Sequence, residues 1–468
     1  MARAVPARPP GMRPHSPAKT TISEPLSLGQ VVRTWWPLAA SWLLMSLEGP
    51  AHSAVAARLP NPEINLAAWG GIVFPICLII ESPIIMLLAA STARSKDLDA
   101  YRQLHRFTLG MGLLLTLIHV LVAFTPLYYF VVRTLMGAPE AIVEPARRGL
   151  MIMTPWSWAI AYRRFKQGVL IRFGYSGAVG TGTVVRLSAN ILVLTLGYLK
   201  GTLPGVIVAA SAVATGVVAE AIYAGLRVRP VIRHRVRPEA RAAEPPTFRA
   251  FLAFYVPLAL TSGLNLLVPP ITSAALSRMP EAISSLAVWS VLTGVIFILR
   301  SPGVAYNEVV VALMDKPGAV QTLRRFAVIL VVMTTLAILI IGFTPISTFW
   351  FRDLSALPTH LASLGRSSLK VALLLPAIAV LQSWYQGIIV NSEQTRGITE
   401  AVVLYLVVVA GVLWGGVLWG QITGTYVGLA ALVIAGLAQT VWLWRRSRPA
   451  LRSIEATDDL DYESEVDR

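Results

Sequence analysis

Three charged residues interrupt long apolar runs in this sequence, and their types suit the handling of ions or charged solutes. Glu48, Glu81 and Arg300 each lie within an apolar stretch long enough to cross a bilayer. A charge at the bilayer centre costs about 2.5–3.5 kcal/mol on insertion scales, so such a residue usually faces a partner or a water-filled cavity. We therefore predict that all three line a substrate or ion pathway, with Glu48 facing a central cavity.

Prolines accompany these charges at matching places in the two halves of the chain. They are Pro50, Pro83, Pro270 and Pro302. Proline removes a helix hydrogen bond and clashes with the preceding turn. In lipid such a defect survives only where protein or water satisfies the freed carbonyl. The pattern predicts breaks in helices one, two, seven and eight, which either form a binding site or only shape the bundle.

Weaker polar candidates lie further along the same runs. Asn265, Asn307 and Glu308 could line the cytoplasmic part of a cavity, although Glu308 could simply reach the interface. Arg163 and Glu220 are also charged residues near helix ends. Arg163 either attracts an anionic substrate or anchors the topology, and Glu220 most simply snorkels to the membrane surface.

The elements that position these residues are membrane-spanning helices. The chain has 468 residues, is 55% hydrophobic and only 14% charged, whereas a soluble protein of this length carries far more charge. A spanning helix needs about 20 mainly apolar residues. The runs that meet this requirement are 33–57, 66–92, 108–131, 149–170, 183–199, 204–224, 250–276, 284–313, 327–350, 368–390, 400–420 and 423–444. We predict an all-α integral membrane protein with twelve transmembrane helices.

The two halves of the chain repeat each other. Residues 37–69 and 257–289 are identical at 13 of 33 positions without a gap, including the pairs Arg58/Arg278 and Trp69/Trp289. Similar apolar composition explains matched Leu and Ala, but not matched Pro, Trp and Arg at one spacing. An even number of helices per half makes the repeats parallel, a design that lets two lobes rock about a central site.

The repeat makes Glu81 and Arg300 equivalent positions of opposite charge. Ser82-Pro83 aligns with Ser301-Pro302, so the two charges fall at corresponding points of helices two and eight. We predict that they lie at the same depth and pair across the pseudo-twofold axis, either as a gate or as a structural link.

The distribution of basic residues indicates a topology. Most of the 40 Lys and Arg residues lie in alternate connections, a positive-inside pattern that places both termini in the cytoplasm. We expect the membrane to be the plasma (inner) membrane. The same pattern accounts for the net charge of +16 without a nucleic-acid partner.

The predicted divisions of the chain are a disordered tail at 1–30, lobes at 31–226 and 249–445, a basic linker at 227–248, and a tail at 446–468.

Signatures of an enzyme are lacking in the sequence. The longest segments between spans carry no nucleophile–base pair, metal-ligand cluster or phosphate-binding glycine loop. We expect no catalytic residue, no metal and no cofactor.

The Pro-Leu-Ala start of helices one and seven, with breaks inside both on a six-plus-six chain, resembles a known transporter group. It resembles the multidrug and toxic compound extrusion (MATE) transporters of the multidrug/oligosaccharidyl-lipid/polysaccharide exporter superfamily. Helices one (PLAASWLLMSLEGPAHSAVAARL) and two (LAAWGGIVFPICLIIESPIIM) look most like the progressive ankylosis type. The resemblance implies two six-helix lobes in a V, and export by alternating access of small organic or phosphate-bearing solutes. It also implies either antiport with H⁺ or Na⁺, involving Glu48 as the acidic residue of helix one, or export driven by the substrate gradient.

Three other functions stay open at this stage. A lipid-linked flippase of the same superfamily would need a large cationic cavity. A major facilitator transporter shares the helix count, but the Gly-Asp-Arg signature expected between helices two and three is replaced by STARSKDLDAYRQLHRF. A non-transporting scaffold could remain fully apolar, which the buried charges argue against.

Overall fold

Every regular element of the described chain is a helix or helical turn. The computed structural model describes residues 25–236, 247–392 and 396–466. Residues 1–24 of the predicted tail, 237–246 of the predicted linker and the last two residues of the chain lie outside these ranges.

Six spans make up the first half. Their helical segments are α1 (Leu28–Ser46 and Glu48–Ala56), α2 (Pro62–Arg94), α3 (Leu98–Phe124), α4 (Glu140–Ile152 and Pro155–Arg172), α5 (Ser176–Lys200) and α6 (Gly205–Val231). Six corresponding spans follow. They are α7 (Phe248–Leu266 and Val268–Leu276), α8 (Ala282–Leu313), α9 (Ala319–Phe343), α10 (Thr359–Val371 and Leu375–Asn391), α11 (Arg396–Trp419) and α12 (Gly424–Val466). The last helix thus continues through most of the predicted tail at 446–468.

The predicted all-α membrane architecture is confirmed. Within the described residues, 10 helices are long and apolar enough to cross a membrane. The other two predicted spans, α1 and α4, correspond to α7 and α10, which do qualify. The outer segment of α1 carries Glu48 and His52, and the inner segment of α4 carries several charges, so both spans are less apolar than their counterparts.

The two halves match element by element. The connection after α3 contains a π-helical turn, Phe130–Leu135, and the connection after α9 contains another, Phe349–Leu354. Gly201 and Gly420, which end α5 and α11, have φ angles of 66° and 63°. Glycine reaches this left-handed region without steric cost, so the duplicated sequence reproduces even the helix ends.

The prolines act differently in the two halves. Spans α1 and α7 break at Leu47 and Leu267, as predicted, and α2 passes through a 3₁₀ turn at Ser82–Ile84. The predicted break at Pro302 is wrong, because α8 is a continuous helix. The carbonyl that Pro302 would otherwise leave without its helix partner belongs to Ile298, and the Ser301 hydroxyl donates to it at 2.8 Å.

The broken spans connect the two halves on the side where α1 and α7 begin, which is the side predicted to be cytoplasmic. The inner segment of α1 packs against α8 and α9, and that of α7 packs against α2 and α3. The Trp35 indole donates to the carbonyl of Pro302 at 2.9 Å, and the Tyr255 hydroxyl donates to the carbonyl of Pro83. Trp35 and Tyr255 are repeat partners, as are the two prolines, so the contacts are reciprocal.

Candidate functional site

A buried cluster of alternating charges occupies the N-terminal half. Arg186 on α5 lies between two carboxylates, with Nη2 3.2 Å from Oε2 of Glu48 and Nε 3.5 Å from Oε2 of Glu220. Arg163 on α4 forms a second ion pair with Glu220, whose side chain is only 1% exposed. We call Glu48, Arg186, Glu220 and Arg163 the charge cluster, and its formal charges cancel.

Two amides complete the charge cluster. Asn190, one turn beyond Arg186, donates to Oε1 of Glu48. Gln167, one turn beyond Arg163, donates to Oε1 of Glu220 at 2.8 Å. All four carboxylate oxygens therefore have partners, as buried charges require.

Small residues let the helices that carry the charge cluster approach closely. A Cβ at Gly216 on α6 would lie 2.1 Å from Oδ1 of Asn190, and one at Gly182 on α5 would lie 3.5 Å from Cγ of Glu220. A larger residue at Gly216 would thus displace the Asn190 amide from Glu48.

The C-terminal half places neutral side chains at the same positions. With the spacing of 219 residues that relates Gln167 to Gln386, Arg163 corresponds to Gln382 and Glu220 to Gln439. Gln382 donates to the side-chain carbonyl of Gln439 at 2.8 Å, in the manner of the Arg163–Glu220 pair. The duplicated architecture is therefore charged in one half and neutral in the other.

The structure does not bring Glu81 and Arg300 together as an ion pair. Glu81 is buried, Oε2 has no hydrogen-bond partner among the described residues, and the basic groups that act on it most strongly are Arg164 and Arg163 of its own half. Arg300 lies near Tyr405 of its own half, and Nε has no partner among the described residues. The predicted pair across the axis is therefore not formed in this conformation.

Arg300 lines a polar cavity of about 290 Å³ between α1, α8 and α10. The lining residues are Trp42, Arg300, Val304, Asn307, Glu308, Ala379, Gln382, Ser383 and Gln386. The Trp42 indole donates to Oε1 of Glu308 at 3.5 Å, and the Asn307 amide donates to the carbonyl of Ser383 at 3.2 Å. The cavity thus offers one guanidinium, one carboxylate, several amides and an aromatic face.

The remaining predicted residues are distributed around the helix breaks. Pro50 packs against Gly294 of α8, where an added Cβ would lie 3.0 Å from the proline ring. Pro270 is buried, and Asn265 is exposed with its amide directed to Thr261 of its own helix. The Glu48 carboxylate turns into its own lobe towards the charge cluster, which corrects the predicted orientation towards a central cavity.

Two arginines join the halves on the side opposite the start of α1, which is the side predicted to be external. Arg58, at the outer end of α1, donates to the carbonyls of Leu354 at 2.9 Å and Asp353 at 2.8 Å in the other half. Arg278, the repeat partner of Arg58, donates to the carbonyls of residues 134–136 at 2.8–2.9 Å. We call these contacts the external arginine lock.

Further contacts between the halves lie beside the external arginine lock. The hydroxyls of Ser53 and Ser290 are 3.2 Å apart, and Ser284 donates to Oε1 of Glu63 at 2.6 Å. A Cβ at Gly70 would lie 2.4 Å from Cβ of Ser290, so α2 and α8 are in close contact here. The external ends of the two halves are therefore packed together.

Sequence reasoning missed the charge cluster, although a signal was present. Arg186 and Asn190 are four residues apart, as are Arg163 and Gln167, so each pair shares one face of an apolar helix. Charged and amide groups repeated on one face indicate a buried partner rather than a topology anchor. Glu220 does not snorkel to the surface, because both of its carboxylate oxygens are bound inside the lobe.

This chain is similar to known proteins in one segment of its sequence and in its fold. Residues 99–310, less than half of the chain, match the family model described as Progressive ankylosis protein (ANKH). Comparison with curated proteins gives no significant match.

Solved transporter structures resemble the chain over most of its length. The inward-facing conformation of a multidrug resistance MATE family transporter of the MOP superfamily matches with a TM-score of 0.69 and 16% identity, covering 90% of this chain and 99% of that one. The outward-facing conformation of such a transporter gives 0.61 at 18% identity, covering 91% and 96%. The lipid II flippase MurJ in an inward closed conformation gives 0.67 at 14% identity, covering 90% and 91%.

These findings define the class of protein. The chain is a multi-pass membrane protein with the fold of the MATE and MurJ transporters, and the predicted resemblance to this superfamily is confirmed. Its fold is that of the MATE-like transporters, and residues 99–310 are similar to the progressive ankylosis family model.

Proposed function

We propose that the protein exports small organic or phosphate-bearing solutes from the cytoplasm by alternating access. The moving units are the lobes at 31–226 and 249–445, in a plasma (inner) membrane with both termini in the cytoplasm. One observation carries the proposal. The external ends of the lobes are joined by the external arginine lock, while the Arg300 cavity lies in the cytoplasmic half of α8. This arrangement suits a carrier that receives its solute from inside.

Two further observations support an inward-facing state, in which the predicted external side is closed. The fold matches an inward-facing MATE transporter with a higher TM-score than an outward-facing one, 0.69 against 0.61. The external contacts also involve matched residues of the two repeats, and reciprocal contacts can be broken together when two lobes rock apart.

The chemistry of the cavity favours a small polar solute with an anionic group. The Arg300 guanidinium can bind a carboxylate or phosphate through two parallel hydrogen bonds. Trp42 offers a flat apolar face, and Gln386 and Ser383 offer donors and acceptors for hydroxyl or amide groups. A volume of about 290 Å³ is at the small end of ligand pockets, so it suits a free solute better than the headgroup of a lipid-linked saccharide.

The charge cluster bears on the question of a coupling ion. Glu48 is bound by Arg186 and Asn190, and the two arginines of the cluster balance its two carboxylates. A Na⁺ or H⁺ at Glu48 would have to displace the Arg186 guanidinium. We therefore favour export driven by the solute gradient over antiport with H⁺ or Na⁺.

Flux measurements in proteoliposomes test the proposal. The protein is reconstituted and efflux is followed for a panel of organic anions, organic cations and phosphates, with and without a pH or Na⁺ gradient. We expect flux of small anions without either gradient. Flux only of lipid-linked substrates, or no solute flux at all, would contradict the proposal.

Replacing Arg300 with glutamine should weaken transport by raising the solute concentration that gives half-maximal flux. A hydrogen bond to a charged group contributes about 1.5–3 kcal/mol, so the concentration should rise about 10- to 100-fold. Arg102→Gln is the matched control, because Arg102 pairs with Asp99 on an exposed surface away from the cavity. Equal transport by Arg300→Gln and the control would remove Arg300 from the solute pathway.

A further inference from the structure

A second cavity, of about 550 Å³, lies on the outer face of the N-terminal lobe between α4 and α6. The residues that line it are Pro155, Trp158, Ala159, Tyr162, Val218, Ala221, Ile222, Gly225, Leu226 and Arg229. We call this cavity the α4–α6 groove. Trp158, Ile222 and Leu226 are large apolar side chains exposed along it, which in a membrane protein places the groove against lipid.

The groove is built by small residues. Ala159 and Ala221 leave room between the two helices, and Gly225 lets the Tyr162 ring pack against α6 to form the wall, since a Cβ at Gly225 would lie 2.6 Å from the Tyr162 hydroxyl. An apolar channel of this kind fits a linear hydrocarbon chain.

The length of the groove matches one leaflet of the bilayer. Val218 and Arg229 mark its two ends along α6, and a helix rises about 1.5 Å per residue, which gives about 16 Å. The hydrocarbon core of a bilayer is about 30 Å thick. The groove therefore begins near the mid-plane and ends at the headgroup level on the side where Arg229 lies.

The headgroup end of the groove is basic. Arg229 is exposed and makes no hydrogen bond or ion pair with any described residue. Arg233 and Arg235 follow on the next turn, Ile232–Val236, and are also exposed. Basic sites at the cytoplasmic ends of transmembrane helices attract anionic lipid headgroups.

We propose that the α4–α6 groove binds an anionic phospholipid of the cytoplasmic leaflet, with an acyl chain along the groove and the headgroup phosphate on Arg229. The occupant differs from the exported solute, because the groove opens to lipid on one lobe and the Arg300 cavity lies between the lobes. The bound lipid would rest against the helices that carry the charge cluster, since Tyr162 and Ala221 adjoin Arg163 and Glu220 in the sequence.

Lipid retention on the purified full-length protein tests this inference. The protein is delipidated in detergent, exposed to phosphatidylglycerol or phosphatidylcholine, and examined by native mass spectrometry. We expect phosphatidylglycerol to be retained in preference to phosphatidylcholine. Arg229→Gln should lower the apparent affinity for phosphatidylglycerol about fivefold.

A neighbouring arginine provides the control. Arg227 is also exposed on α6 but does not line the groove, so Arg227→Gln should change retention less than Arg229→Gln. Leu226→Trp, which adds bulk inside the groove, should lower the retention of phosphatidylglycerol. Equal retention of the two lipids, equal loss in the two arginine variants, or no effect of Leu226→Trp would overturn the assignment.

Discussion

Replacing Glu220 with glutamine is expected to destabilise the folded protein by about 3–5 kcal/mol, because it leaves two buried guanidiniums without their shared carboxylate. Arg163 and Arg186 both contact Oε2 of Glu220, and Glu220 is almost fully buried. A neutral amide in place of that carboxylate cannot balance either charge. Unfolding in mixed micelles, followed by circular dichroism, measures the loss.

The C-terminal half supplies a rescue for this variant. Gln382 and Gln439 occupy the equivalent positions and bind each other at 2.8 Å. The double variant Arg163→Gln/Glu220→Gln should reproduce this neutral pair and recover a large part of the lost stability. Arg133→Gln, which removes an exposed ion pair to Glu140, should have little effect. If the double variant loses as much stability as Arg163→Gln and Glu220→Gln lose in sum, the Arg163–Glu220 pair is not the source of the destabilisation.

Removing both arginines of the external arginine lock is expected to open the external side of the protein. Arg58→Ala/Arg278→Ala eliminates five hydrogen bonds between the lobes. Each bond contributes about 1 kcal/mol net, so the ratio of externally closed to externally open molecules should fall by at least about tenfold for each arginine.

Sided labelling measures this opening. The probe is Ser290→Cys in a Cys77→Ala background, treated with a membrane-impermeant maleimide from the external side. Ser290 lies beside Ser53 and Gly70 at the packed external contact, so labelling should be slow with the lock intact and fast without it. Arg133→Ala, also external but paired within one lobe, is the control. Unchanged labelling of the double variant would show that the arginines do not close this side.

The sequence predicted the helices and the repeat well because both depend on local properties. Apolar runs of sufficient length must form helices in lipid, and matched Arg58 and Arg278 at one spacing already indicated equivalent roles. The structure gives those arginines reciprocal acceptors in the opposite lobe. The acceptors themselves, backbone carbonyls 142 to 296 residues away in the chain, have no sequence signal.

The predictions that concerned partners were less successful, for a physical reason. A charged residue within an apolar run indicates that a partner is needed, but the sequence does not identify that partner. Glu48 was expected to face a central cavity and instead binds Arg186 on α5. Glu81 and Arg300 were expected to pair, but Glu81 lies near the arginines of α4 and Arg300 lines the cavity between α1, α8 and α10. The helix at Pro302 also continues, because Ser301 supplies a donor that a proline rule does not consider.

A disulfide across the external contact tests alternating access most directly. The hydroxyls of Ser53 and Ser290 lie 3.2 Å apart on opposite lobes, and Cys77 is the single cysteine of the chain. In Ser53→Cys/Ser290→Cys with Cys77→Ala, oxidation should join the lobes and abolish solute flux in proteoliposomes, and a reductant should restore it. Each single cysteine variant, oxidised in the same way, should transport normally. Undiminished flux through fully cross-linked protein would contradict transport by opening of the external side.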